Sequence, residues 1–218
     1  MRVLSVTVGL PRDLRDRRGR IVRSGIVKKP VEGKVRVTKK GLDGDGQADA
    51  GAHGVPHRAV YAYPVGHYRS WMEEEGREDL GFGSLGENLT VEGADERSVL
   101  IGDRFRIGTA LLEVTYGRIP CVKLGLRLAD PTFPDRFLAS RRTGFFFRVL
   151  EEGELAAGDE ATQTAHGPGR FSIREALELL YGTGQADPAR LAELCKVDAL
   201  PPPWRERAQR ITAGGSPS

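Results

Sequence analysis

The 218-residue chain has only two cysteines, Cys121 and Cys195. They stand far apart with no CxxC or finger spacing, which argues against a disulfide framework and against a structural zinc site. Aromatic residues make up only 7% of the chain while glycine occupies 28 positions, a balance that suits a turn-rich β architecture better than a helical bundle. Long apolar runs are missing. The start, Met1 to Val6, is too short and too alternating for the apolar region of a signal peptide, and no stretch reaches bilayer length. The chain is therefore expected to be cytoplasmic, without membrane contact and with reduced thiols. A strong net charge is missing too, the total being +3, but the distribution is uneven: positions 11–29 hold eight Lys/Arg against two Asp, a local +6. Such a segment can hold nucleic acid or a phosphorylated ligand. Because no zinc-finger, RNP or helix-turn-helix signature accompanies it, a solvated surface loop is the ordinary reading.

One stretch organises what is present: Gly117-Arg118-Ile119-Pro120-Cys121-Val122-Lys123-Leu124. A strand-like run from Leu111 to Tyr116 delivers the backbone to a turn that presents one cysteine between an arginine and a lysine. Flanking cations favour an ionised sulfur, and Pro120 fixes the backbone just before it. The competing reading is a small buried hydrophobe sharing a core with Val122 and Leu124.

Around this stretch the pattern is of many short strands. Val3 to Val8, Ile26-Val27, Val35 to Val37, Ala59 to Tyr63, Leu89 to Val91, Val99 to Ile101, Arg104 to Ile107, Leu111 to Tyr116 and Phe145 to Leu150 read as strands, with Pro11 to Arg23 a basic loop or hairpin. Pro64 opens a helix that Gly76 stops, and Asp130-Pro131-Thr132 opens a short one with Phe133, Phe137 and Leu138 inward. Past Gln163 the texture changes. Ser172 to Glu175 is a capping box, Asp187-Pro188 opens a second helix and Pro203-Trp204 a third. The expected domains are 1–165, mainly β, and 166–213, three helices forming a small satellite, with 214–218 a disordered tail. Cys195 falls at core spacing on the second of these helices.

The segment Gly41 to Arg58 is long, glycine-rich and poor in large apolar side chains, and it carries His53 and His57 with Arg58 close behind. Long loops in compact domains are usually functional or disordered. Glycines let backbone N–H groups approach an anion, while His and Arg add charge, as a phosphate-bearing cofactor requires. Calcium lacks its downstream glutamate here, and Gly54 and Pro56 disfavour the helix that a His53/His57 zinc pair needs. Glu87 and Asn88 lead into a strand and serve a turn or a ligand. Ser140 to Gly144 is a second anion-friendly turn.

Six blocks in order now carry a resemblance: Asp45-x-Gln47-x-Asp49, His53-Gly54, Ala59-Val60-Tyr61-Ala62-Tyr63-Pro64, Gly86-Glu87-Asn88-Leu89-Thr90, Arg118-x-Pro120-Cys121-x-Lys123-Leu124 and Arg142-Thr143-Gly144-Phe145. Together they resemble a MOSC domain of the YiiM-like type over nearly the whole chain, with 171–211 resembling the three-helix extension of that subfamily. The resemblance implies a MOSC-type β-barrel that binds molybdenum cofactor (molybdopterin), the metal held by the pterin dithiolene and by a protein cysteine, which here matches Cys121. His53, Gly54, Arg58, Arg118, Arg142 and Thr143 become the candidates around the cofactor's phosphate and pterin, and Glu87 and Asn88 the pocket wall. It further implies two-electron reduction of small N-hydroxylated compounds, including hydroxylaminopurine-type base analogues, to amines. Electrons would come from a separate flavoprotein reductase, since no flavin or NAD fingerprint is present. A homodimer is compatible with it. Where relatives tend to carry Gly-Gly-Pro-Asp-Lys, this chain has Gly54-Val55-Pro56-His57-Arg58, and arginine and lysine are not equivalent at a bidentate site. Two further readings stay open: a sulfur carrier holding a persulfide on Cys121 for cofactor or cluster maturation, and a nucleic-acid module built on positions 11–29.

Overall fold

The computed structural model describes residues 1–16, 18–48 and 56–214. The chain begins with β1 (Arg2–Val8), β2 (Arg12–Arg15), β3 (Ile21–Ser24), β4 (Lys29–Pro30), β5 (Val35–Thr38) and β6 (Gly41–Leu42). A single 3-10 turn, Pro56–Arg58, leads into β7 (Val60–Pro64), α1 (Val65–Glu75), β8 (Leu89–Glu92), β9 (Arg104–Ile107) and β10 (Ala110–Gly117). Then come α2 (Val122–Arg127), α3 (Phe133–Ser140), β11 (Phe145–Glu151), β12 (Gly153–Leu155), β13 (Ala161–Ala165), α4 (Ile173–Tyr181), α5 (Pro188–Leu194) and α6 (Pro202–Thr212).

Eight strands make one sheet in the order β13-β9-β10-β11-β7-β8-β1-β4; β12-β5-β6 and the β2–β3 hairpin stand apart from it. Neighbours in the large sheet are antiparallel except β7 and β8. Parallel neighbours need a crossover, which α1 supplies. The order is that of an open sheet. Its ends are drawn together by one antiparallel bridge, Arg2 to Glu160, and by backbone bonds from Ala161 N to Met1 O (2.7 Å) and from Gly158 N to Val3 O (2.8 Å).

Two apolar clusters fill the molecule. The larger one lies on the sheet and includes Val3, Val60, Leu112, Val114, Phe145 and Phe147 together with Ile173, Leu177, Leu191 and Trp204. The three C-terminal helices thus share a core with the sheet. Their closeness is visible at Gly117, where an added Cβ would lie 3.0 Å from Ile173 and Leu177 side-chain atoms. The smaller cluster is aromatic: Tyr61, Tyr63, Tyr68, Trp71, Phe133 and Phe137 with Ile26, Val27, Leu85 and Leu124.

Four expectations need correction. Ile26 and Val27 are buried but form no ladder, because the Ser24 hydroxyl accepts from Ile26 N (3.2 Å) and turns the chain into the aromatic cluster. At 99–101 a single bridge, Leu100 to Ser172, replaces a strand, since the Asp103 carboxylate takes Leu100 N (2.9 Å). β13 extends the sheet through Ala165, past the expected change of texture, although its outward positions are polar. Finally, the segment after Cys121 is the helix α2. The tail 215–218 lies outside the described residues.

Candidate functional site

Strand β10 carries the chain to Gly117, and Arg118 N then donates to Gly144 O (3.3 Å), tying the turn to the start of β11. Pro120 leads to Cys121, which sits extended (φ −126°, ψ 170°) just before α2. Its side chain is exposed and Val122 is 75% exposed, so the hydrophobe reading of this cysteine is wrong; Leu124 alone goes into the core. A cleft of about 170 Å³ opens beside the sulfur. It brings together Cys121, Arg58, Asn88 and Arg118 from the expected set and adds Lys28, Asp45, Gln47, Tyr61, Tyr116 and Lys123.

Among the described residues Arg58 and Arg118 have no carboxylate partner, whereas Lys28 has one. Arg58 Nε donates to the Tyr116 hydroxyl, and its guanidinium lies 5.4 Å from that ring's centroid. Burial holds Arg58 below the ordinary arginine range. Arg118 is buried, 4.8 Å over the Tyr61 ring, and donates to Leu85 O. The Tyr61 hydroxyl donates to Thr143 O (2.6 Å), and burial pushes this phenol well above its usual range. Lys28 is the exception. It pairs with Asp45 with both side chains nearly buried, and desolvation pulls the ammonium down despite that partner. Asp45 also accepts from Gly9 N (2.9 Å) and from Asn88 Nδ2 (2.8 Å), while Asn88 Oδ1 accepts from Tyr61 N (3.0 Å). Asn88 therefore pins β7 to the Asp45 loop. Gln47 is different: its Oε1 is buried at the cleft with no partner among the described residues, a cost that a bound donor would remove.

The remaining expected residues lie elsewhere. Glu87 is fully buried behind the wall, where its carboxylate takes the Tyr68 hydroxyl and Gly83 N (2.7 Å). Thr143 is buried and contributes its carbonyl. Arg142 faces away from the cleft: it pairs with Glu74 (2.6 and 2.7 Å), stacks 4.3 Å over Trp71, and lines a second cavity of about 350 Å³ with His67 and Glu96. His53 and Gly54 lie outside the described residues. Of the lining groups not anticipated, Asp45 and Gln47 were signalled by the glycine-rich loop and Lys28 by the basic segment. Tyr61 and Tyr116 read simply as strand residues.

Among the described residues no group of three His, Cys, Asp or Glu side chains could hold a metal ion, and no helix is long and apolar enough to cross a membrane.

Residues 49–162 match the MOSC domain, and residues 172–210 match the YiiM-like, 3-alpha helix domain. The Bacillus subtilis (strain 168) protein YflK is 38% identical over 179 residues, covering 82% of this chain and 80% of its own. A protein of Gibberella moniliformis named Reductase is 38% identical over 141 residues, which are 63% of this chain but 25% of that one. The crystal structure of YiiM from Geobacillus stearothermophilus superposes with a TM-score of 0.81 at 31% identity, covering 97% of this chain and 98% of that one. The exposed cysteine beside a cationic cleft thus stands in a chain that belongs to the MOSC domain family and continues into a YiiM-like three-helix domain.

Proposed function

We propose that the chain is a molybdenum-cofactor oxidoreductase that reduces small N-hydroxylated compounds, such as hydroxylaminopurine-type base analogues, to amines. The observation that carries this reading is the exposed Cys121 thiol at the mouth of a cleft whose arginines have no carboxylate partners among the described residues. The donor set fits the cofactor. A soft thiolate suits a metal already bound by dithiolene sulfur. Arg58 and Arg118, satisfied by a phenol, ring faces and a carbonyl, retain full charge for the cofactor's anionic groups, and the orphaned Gln47 oxygen awaits an N–H of the kind a pterin bears. His53, Gly54, Glu87 and Thr143 complete the proposed set, the last two acting from behind the cleft.

When bound, the cofactor supplies a molybdenum centre that exchanges two electrons and an oxygen atom with substrate. The protein's residues do the rest. Cys121 would hold the metal through its sulfur, as a thiolate ligand. Arg58 and Arg118 fix the anionic ends. The reduction R–NHOH + 2e⁻ + 2H⁺ → R–NH₂ + H₂O consumes two protons, and the buried Lys28–Asp45 pair keeps one at Lys28 Nζ within the cleft. The electrons come from a separate flavoprotein reductase. A relative named Reductase, in which the matched part is a quarter of a longer chain, supports that division of labour.

The deciding experiment is molybdenum and pterin analysis, with an N-hydroxylated substrate assay, on protein from a host that makes the cofactor. Near-stoichiometric molybdenum is expected in wild type and Cys195→Ser, with loss of metal and activity in folded Cys121→Ser. Full activity in Cys121→Ser would sink the mechanism. Because the thiol is exposed, a Cys121 persulfide carrier is the second reading, and sulfane sulfur in place of molybdenum would establish it.

A further inference from the structure

We propose that the β2–β3 hairpin and the adjoining rim of the cleft form the docking face for an acidic, one-electron flavoprotein that feeds the Cys121 site; this rests on the reductase reading above. The hairpin belongs to neither larger sheet. Its inward residue, Leu14, packs on the aromatic cluster, β2 touches α2, and its outgoing end, Ser24 and Gly25, lines the cleft. Val22, opposite Leu14, is half-buried, while Arg12, Asp13, Arg15, Ile21 and Arg23 on the two strands are exposed. Arg20 pairs with Asp16 (2.6 Å) and Arg23 with Asp13 (3.4 Å). Among the described residues Arg12, Arg15 and Arg18 are exposed with no carboxylate partner, which leaves three uncompensated positive charges on the hairpin whose other end lines the cleft.

Apolar side chains are interleaved with these cations. Leu10 is 69% exposed, Ile21 59% and Val122 75%. Leu10 and Pro11 lie against Gly46, a cleft residue, and Val122 adjoins Cys121, so two of these apolar groups stand at the mouth while Ile21 lies at the turn end of the hairpin. Arginine mixed with exposed aliphatic side chains is the composition of a protein interface. A small anion would instead need its donors to converge, and these arginines are spread along β2 and the turn that follows it. The sign of the surface selects an acidic partner and speeds encounter by steering. The chemistry needs one: two one-electron transfers, each oxidising a flavin hydroquinone to its semiquinone, supply the pair that reduces R–NHOH to R–NH₂ and water.

The probe is reduced flavodoxin, an acidic FMN protein, mixed with cofactor-loaded enzyme and an N-hydroxylated substrate; dithionite, which needs no docking, is the parallel reductant. The triple variant Arg12→Glu/Arg15→Glu/Arg18→Glu is expected to lower the flavodoxin-driven second-order rate by about tenfold or more and to flatten its salt dependence. Dithionite-driven turnover should stay unchanged. The neutral Arg→Gln triple should fall between, and equal melting temperatures exclude misfolding. Equal flavodoxin rates in wild type and triple variant overturn the proposal, as does dithionite turnover without any flavodoxin turnover, or a triple variant whose only loss is binding to a single-stranded oligonucleotide. Absence of turnover with dithionite overturns the reductase reading itself.

Discussion

At the residue scale the cleft depends on a few side chains whose partners are unusual for their type. Arg58 rests on the hydroxyl and ring of Tyr116, so Arg58→Ala is expected to lower cofactor content far more than melting temperature; unchanged molybdenum per chain would remove Arg58 from the site. Its neighbour His57 gives a pH effect with a definite sign. Burial first, then the Arg148 and Arg58 charges, hold this imidazole below its ordinary value of 6.5. Just below that pH the unfolded chain takes the proton and the folded chain does not, so stability falls as pH drops through the window and is unaffected above it. Urea midpoints measured from pH 7 down to about 5 should decline less steeply in His57→Gln, and parallel curves would contradict this. The turn before Cys121 and the glycine-rich loop before Arg58 were local signals, whereas grouping Asn88 and Arg118 with them came from the family resemblance, and the cleft brings all four together. Arg142 was misleading: its neighbours in sequence reach the wall of the cleft, while its own side chain turns outward to Glu74 and Trp71. Nothing local encodes that choice.

At the element scale, regular strands and capped helices were readable and tertiary exceptions were not. The Ser172 hydroxyl does accept from Glu175 N (3.0 Å) at the start of α4, and Ser172→Ala should cost about 1 kcal/mol in chemical denaturation. Ile26 and Val27 have strand propensity, yet burial among aromatic rings decides their conformation, and no propensity scale contains that contact. Gly144 joins α3 to β11 at φ +69°, where an added Cβ would lie 2.3 Å from Ala62 O. Gly144→Ala therefore combines left-handed strain with a backbone clash. A loss above about 2 kcal/mol is expected, together with loosening of Arg118, whose N–H bonds Gly144 O.

At the scale of the whole molecule, the sheet and the three C-terminal helices are one packing unit, although the sequence changes texture between them. The two tryptophans report on its two parts, Trp71 in the aromatic cluster and Trp204 in the core shared by the sheet and the helices. Fluorescence unfolding curves of Trp71→Phe and Trp204→Phe should each show one transition, coincident with that by circular dichroism; a second, separated step would mean independent domains. The edge-on contact of Tyr116 with Trp204, 5.3 Å between centroids, joins that shared core to the side chain that supports Arg58. Descendants of this lineage are consequently not free to trade their last fifty or so residues as a cassette: a chimera carrying a relative's tail would inherit a differently seated tyrosine, and with it an altered grip on whatever occupies the cleft.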